Sequence, residues 1–205
     1  MSILDDISSD LDWRESEIAS MRIVLTSPNI TPTQKSVLLR AAWALLYAHY
    51  EGFCKNTLVS YYDFISNSGV ETQSLPQSTR AFALAEKLSE LRKIPNNEFL
   101  EEVSGFEVNY LTVTPKFPDV DTRSNLWPSV LIELLEIADL NSDKIEHHEL
   151  KLKTLVARRN KIAHGENNII SEFEYYREFE DVVYDVMYSL AFQVEERLSQ
   201  APFAA

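Results

Sequence analysis

The sequence predicts an all-α fold, on three observations. Only 4 of the 205 residues are Gly and 8 are Pro, while Leu, Ala, Glu and Arg recur throughout, which favours long helices over sheet. Apolar residues return at three- and four-residue spacing along most of the chain. With 45% apolar and 25% charged residues, the balance is that of a globular domain long enough to bury a sizeable core. No internal repeat or low-complexity linker divides the chain, so residues 1–205 read as a single domain.

The elements follow in order. Ile7, Leu11, Ile18, Met21 and Leu25 recur among polar residues as one face of an amphipathic helix, which Ser27-Pro28-Asn29-Ile30-Thr31-Pro32 ends. Thr31 or Thr33 caps the next helix, which runs through Val37 and Ala48 toward Ile65. Its roughly 30 residues span about 45 Å and make it the central helix. Ala41, Ala44 or Leu45, Ala48 and Gly52 form a stripe of small side chains where another helix can approach closely. Residues 67–78 read as a loop, and 79–93 and 97–103 as two shorter helices separated by Pro95. Residues 106–113 alternate enough for a short strand, but Pro115, Pro118 and Pro128 bracket a stretch that equally fits an ordered loop, so 105–128 is a loop or short β insertion. Helical spacing resumes over 129–138. A helix over 143–164 follows, ended by Gly165. The last helix, 171–198, carries Phe173, Tyr176, Phe179, Val183, Met187, Leu190 and Val194 on one face, as core or dimer seam rather than a base-stacking platform.

Composition bounds the function. The single Cys54 excludes an internal disulfide and a cysteine-rich metal site, and it sits in an apolar helical pattern suited to a buried thiol in a reducing compartment. The N-terminus lacks a positive start and an apolar run, and no stretch reaches the roughly 18 apolar residues that span a bilayer, so a cytoplasmic protein without a membrane partner is expected. A net charge of −13 argues against general coating of nucleic acid. Positive charge is nevertheless concentrated: residues 144–164 hold six Lys or Arg against two Glu, a net +4, which leaves −17 for the rest.

That basic segment ends in Arg158-Arg159-Asn160-Lys161-Ile162-Ala163-His164-Gly165-Glu166. Arginine grips a phosphate through a fixed fork of donors, and histidine as a residue type exchanges protons near neutral pH. An Arg, an Asn and a His within six residues can therefore handle a phosphodiester without metal. Taken alone, the trio equally fits a helix C-terminus whose basic side chains meet the negative end of the helix dipole. His49 and Glu51, polar residues in an apolar neighbourhood, are accessory candidates; a satisfied core histidine and a Glu51–Lys55 surface pair are the simpler readings. His147-His148 lacks a spaced set of further ligands, and no metal site is expected there.

Arg159-Asn160-Lys161-Ile162-Ala163-His164 fits the R-x(4–6)-H signature of the HEPN superfamily, helical domains that are often metal-independent endoribonucleases. Three stretches sharpen the resemblance to its MAE-type HEPN-like nuclease branch. The segment from Leu39 to Lys55 resembles the first core helix with its LLYAHxEGFxK pattern, Thr122-Arg123-Ser124-Asn125-Leu126 looks like the T-x-SNL segment, and Arg159 to Glu166 resembles the RNxIAHGE core. The resemblance implies a bundle of long antiparallel helices and a homodimer that sets two R-x-x-x-x-H segments across a two-fold axis. It also implies an endoribonuclease without cofactor in a toxin–antitoxin or antiviral-defence setting, with an antitoxin or defence-system protein as partner. Arg159, Asn160 and His164 would be catalytic: His164 assisting a ribose 2′-hydroxyl, Arg159 neutralising the phosphoryl oxygens, Asn160 donating to the same group or orienting the histidine. Arg158 and Lys161 would position the RNA. The alternative is a non-catalytic helical module of the same fold that binds RNA or protein. Residues five apart in a regular helix lie about 140° apart, so Arg159 and His164 of one chain would not face one phosphate, whereas Asn160 and His164 share a face. Either the helix end unwinds near Gly165 or a partner chain completes the site.

Overall fold

The computed structural model describes residues 2–166 and 172–203, which hold nine α-helices and no strand among the described residues. Ser171, expected to open the last helix, lies outside them. Four long helices build the bundle: α1 (Ile3–Thr26), α2 (Pro32–Asn67), α8 (Glu149–Ala163) and α9 (Phe173–Leu198). Between α2 and α8 come the short helices α3 (Gln77–Ala83), α4 (Ala85–Leu91), α5 (Asn96–Phe106), α6 (Pro128–Ile137) and α7 (Asp143–His147).

Both N-terminal helices start on reciprocal caps. The Ser2 hydroxyl accepts from the Asp5 N–H while the Asp5 carboxylate accepts from the Ser2 N–H, and Thr31 and Gln34 do the same for α2. Pro32 follows Thr31 at the first helical position, where its missing N–H costs nothing. Thr31 rather than Thr33 is therefore the cap, and the 36 residues of α2 span about 54 Å.

Side-chain pairings set the directions. Arg14 meets His49 and Asn56 meets Asp10, so α1 runs antiparallel to α2; Arg40 reaches the Ile162 carbonyl and Arg159 covers Tyr47, so α8 does too. Trp43 packs on Phe179, and Tyr61 on Phe203 beyond the end of α9, which makes α2 and α9 parallel. The core is the aromatic face of α2, Trp43, Tyr47, Tyr50, Phe53 and Tyr61, against Ile7, Leu11, Ile18 and Leu25 of α1 and the expected face of α9, of which only Phe173 is half-buried. Each such large side chain withdrawn from water contributes about 1.5–3 kcal/mol. The small-residue stripe behaves differently. Ala41 and Ala48 are exposed, and Gly52 admits not a helix but the Arg14 guanidinium, whose Nη1 would lie 2.9 Å from an added Cβ.

Two expectations need correction. Residues 106–113 form no strand: α5 continues into a π-helical turn, Glu107–Leu111, closed by the Thr112 N–H on the Glu107 carbonyl at 3.1 Å. A lone alternating run without a partner strand has no ladder for its backbone groups, so the turn closes on itself, while the Val113 carbonyl accepts from the Thr72 N–H at 2.9 Å. The 143–164 helix is broken at His148, whose Nε2 lies 2.8 Å from the Asp185 carboxylate on α9, beside Lys144 at 3.0 Å. The hydrogen bond from His148 holds the Asp185 carboxyl below the usual range.

Candidate active site

The motif sits at the end of α8, where the sequence supplies its own stop. Gly165 adopts φ +77°, its N–H bonds to the Ile162 carbonyl at 3.1 Å, and the Glu166 N–H bonds to the Lys161 carbonyl at 3.0 Å. This pair of bonds closes a helix through a left-handed glycine. His164 is the capping residue and is exposed. Arg40 of α2 donates to the Ile162 carbonyl at 3.4 Å and adds a cation to this helix end.

Arg159 is held on three sides. Its Nη1 donates to Asn125 Oδ1 at 2.7 Å and to Asn160 Oδ1 at 2.9 Å, and its guanidinium carbon lies 4.7 Å from the centre of the Tyr47 ring. Asn160 thus accepts with its oxygen and keeps its NH2 for donation. The Tyr47 hydroxyl accepts from the Leu126 N–H at 2.9 Å. Burial keeps that phenol protonated well above its ordinary range, aided by the Glu51 carboxylate beside it.

The loop before α6 pays in strain for this arrangement. Arg123 and Ser124 take φ +53° and +68°, left-handed values that cost non-glycine residues about 1–2 kcal/mol each. The Asp121 carboxylate accepts from the Arg123 N–H at 2.8 Å and the Arg123 side chain pairs with Glu133. The outcome is that Asn125 points at Arg159 while Leu126 is buried under Tyr47. Consecutive strained residues beside a functional group are where stored strain is expected.

The remaining sequence candidates separate. Arg158 lies between two rings, 4.8 Å from the Trp43 centre and 5.1 Å from that of Tyr175, and Lys161 is exposed beyond it. Glu51 forms no ion pair with Lys55 and instead stands by Tyr47. His49 is buried on the opposite face of α2, against α1: its Nδ1 is 3.5 Å from Arg14, its Nε2 3.1 Å from Glu17, and Trp13 packs edge-on at 5.4 Å. Burial lowers the His49 pKa, with Glu17 partly opposing. Two residues apart on a helix, Tyr47 and His49 point to nearly opposite sides, so only the first belongs with Arg159.

Tyr47, Asn125 and Arg40 were missed as site residues in the sequence. Asn125 carried a signal, since it falls in the T-x-SNL stretch, but its distance of 34 residues from Arg159 conceals the contact. Among the described residues no hydrogen bond links Arg159 to His164, in keeping with their angular separation. No helix among the described residues is long and apolar enough to cross a membrane. In comparison with known proteins, the model of the HEPN_MAE_28990 family of HEPN-like domains matches residues 3–203. No curated protein and no solved structure matches the chain significantly.

Proposed function

Because the chain belongs to the HEPN_MAE_28990 family, we propose that it is a metal-independent endoribonuclease whose site is the end of α8. The observation that carries this reading is the Arg159 guanidinium pre-set by Asn125, Asn160 and Tyr47 one turn before an exposed histidine, in the basic segment of an acidic chain. Arg159 and the Asn160 NH2 bind a phosphodiester and oppose the charge that grows on its oxygens. His164 takes the proton of the adjacent ribose 2′-hydroxyl, whose oxygen attacks phosphorus. The bond to the 5′-oxygen breaks, that oxygen receives a proton, and a 2′,3′-cyclic phosphate remains. The nucleophile comes from the substrate, so RNA is cut and DNA is not. Arg158, clamped between Trp43 and Tyr175, and Lys161 supply positive potential along the approach.

One chain offers one His164, while the reaction uses a base and an acid. A homodimer provides both, and α2 offers a seam in the exposed Val37, Ala41 and Ala48. A toxin or antiviral effector held by a controlling protein fits the net charge of −13, which disfavours indiscriminate RNA binding. The test is incubation with total RNA in excess chelator, comparing the parent with His164→Ala. Cleavage by the parent alone, leaving cyclic phosphate ends, is the expected result; equal cleavage by both overturns the assignment.

A second reading has its own observation. The contacts of Arg159 all lie within the chain, which also suits a guanidinium that merely ties α8 to the loop before α6. A non-catalytic RNA- or protein-binding module would then lose folding, and no cleavage, on Arg159→Ala.

A further inference from the structure

Arg159 lies about 140° around α8 from His164 and bonds to Asn125 and Asn160, so the guanidinium nearest the histidine must come from elsewhere. Helix α2 supplies one. Arg40 reaches the end of α8 and donates from Nη2 to the Ile162 carbonyl at 3.4 Å. The same oxygen accepts from the Gly165 N–H at 3.1 Å, so the Arg40 guanidinium lies beside the residue that directly follows His164. Capping alone does not account for it. The glycine turn satisfies that carbonyl without Arg40, Lys161 already brings a cation to the last turn of α8, and the long bond uses one of the five donors of a guanidinium.

Arg40 is half-buried, and among the described residues no carboxylate lies within ion-pair distance of it. The basic segment divides in the same way. Lys144, Lys151 and Lys153 pair with Asp185, Glu178 and Glu149, whereas Arg158, Arg159 and Lys161 at the motif end pair with no carboxylate among the described residues. A cation partly withdrawn from water without a counter-ion costs free energy, which an anion from outside recovers. We propose that this anion is the phosphodiester beside His164, with Arg40 binding its non-bridging oxygens while His164 takes the proton of the 2′-hydroxyl. The inference rests on the ribonuclease reading and adds a residue to it. Arg40 forms and breaks no covalent bond: its remaining donors fit two oxygens of a phosphate and oppose the charge that grows as the 2′-oxygen attacks. Each histidine then has a guanidinium at its own helix end, whether Arg159 comes from the same chain or from a second copy.

Arg40→Gln separates this role from helix capping, because an amide still donates to the Ile162 carbonyl but carries no charge. The full-length parent, Arg40→Gln, Arg40→Lys and Arg92→Gln are titrated at several salt concentrations with a labelled 2′-fluoro oligoadenylate of about eight nucleotides. That strand lacks the attacking hydroxyl and stays uncut. Arg40→Gln should bind about 10-fold more weakly and lower the slope of log K against log salt by about 0.7, the value for one phosphate contact on a single strand. Arg40→Lys should keep the slope, and Arg92→Gln, which removes an exposed cation outside the motif, should change neither. On cleavable RNA, Arg40→Gln should lower kcat about 100-fold, with the parent's circular dichroism retained. Parental affinity and slope in Arg40→Gln overturn the proposal, as does a loss that comes with reduced helix content, or a parent that does not bind the strand. The two failures are separable. A parent that cuts RNA, with Arg40→Gln as fast, removes Arg40 and leaves the ribonuclease reading; a parent that binds through Arg40 yet cuts nothing removes that reading and leaves the phosphate seat.

Discussion

In the ribonuclease reading proposed above, Asn125 is the residue on which the placement of Arg159 turns. Without its Oδ1, the Arg159 guanidinium keeps Asn160 and the Tyr47 face but loses the shortest of its contacts. Asn125→Ala should lower the cleavage rate by up to about 100-fold, chiefly in kcat, with helix content unchanged, as expected when a catalytic group is misplaced by a fraction of an ångström to an ångström. Single-turnover kinetics on a short RNA would check it, and an unchanged rate would show that Asn125 does not position Arg159. His49 is a residue of stability. Its pKa is lowered in the fold by burial, so the unfolded chain takes up a proton as pH falls below about 6.5 while the native imidazole resists it. The contribution from His49 is present above that pH and fades as the pH drops, by at most about 1.4 kcal/mol per pH unit. Replacing His49 with Gln should flatten the loss of urea stability between pH 7 and 5; identical slopes would mean that other groups carry it.

At the scale of elements, a partly buried ion pair joins α1 to α9 beside their shared apolar core. Glu180 is buried, its carboxylate accepts from Arg22 Nε at 2.9 Å and lies 2.6 Å from Nη2, and burial raises its pKa against the pull of Arg22. Arg22→Met leaves that carboxylate buried without its cation. A loss of about 3 kcal/mol is expected, and Arg22→Met/Glu180→Gln should recover much of it because the isolated charge is gone. Chemical denaturation of the three proteins decides the point: equal stability of the single variant and the parent would show that water already shields Glu180. Arg14 ties the same helix to α2. Arg14 threads into the space that Gly52 leaves, between Asp10 at 3.1 Å and His49.

For the whole molecule, the proposal of a homodimer rests on a face that the single chain leaves open. Val37, Ala41 and Ala48 share one exposed side of α2, and Ala44 and Leu45 between them are half-buried. Small residues allow two such helices to approach closely. Ala41→Glu/Ala48→Glu should therefore give a monomer with unaltered helix content and cleavage reduced at least about 10-fold, because the second His164 is lost. Sedimentation equilibrium with a parallel cleavage assay tests both halves. A parent that is monomeric at micromolar concentration and still cuts RNA would rule out the shared site. Rising salt should strengthen association by screening the net −13 of each chain, and weaken RNA binding.

Much of this was legible in the sequence because it is local. Helix periodicity, a cap of α2 at Thr31 or Thr33, the Gly165 stop and the basic segment around Arg159 depend on residues within a few positions of one another, so the linear chain determines them. The apolar faces of α1 and α9 appear in the bundle as the spacing of Ile7, Leu11, Tyr176 and Phe179 predicts. What the tertiary structure decided is everything joined across the chain. The strand or loop over 105–128 became a π-helical turn and a strained loop, because a strand needs a partner that no pattern in one segment reveals. Tyr47, Asn125 and Arg159, 112 and 34 residues apart, meet only when α2 and α8 pack antiparallel and the loop before α6 turns Asn125 inward. His49, two residues from Tyr47, is sent to α1 instead. Spacing assigns a residue to a face, but what that face meets is settled by packing.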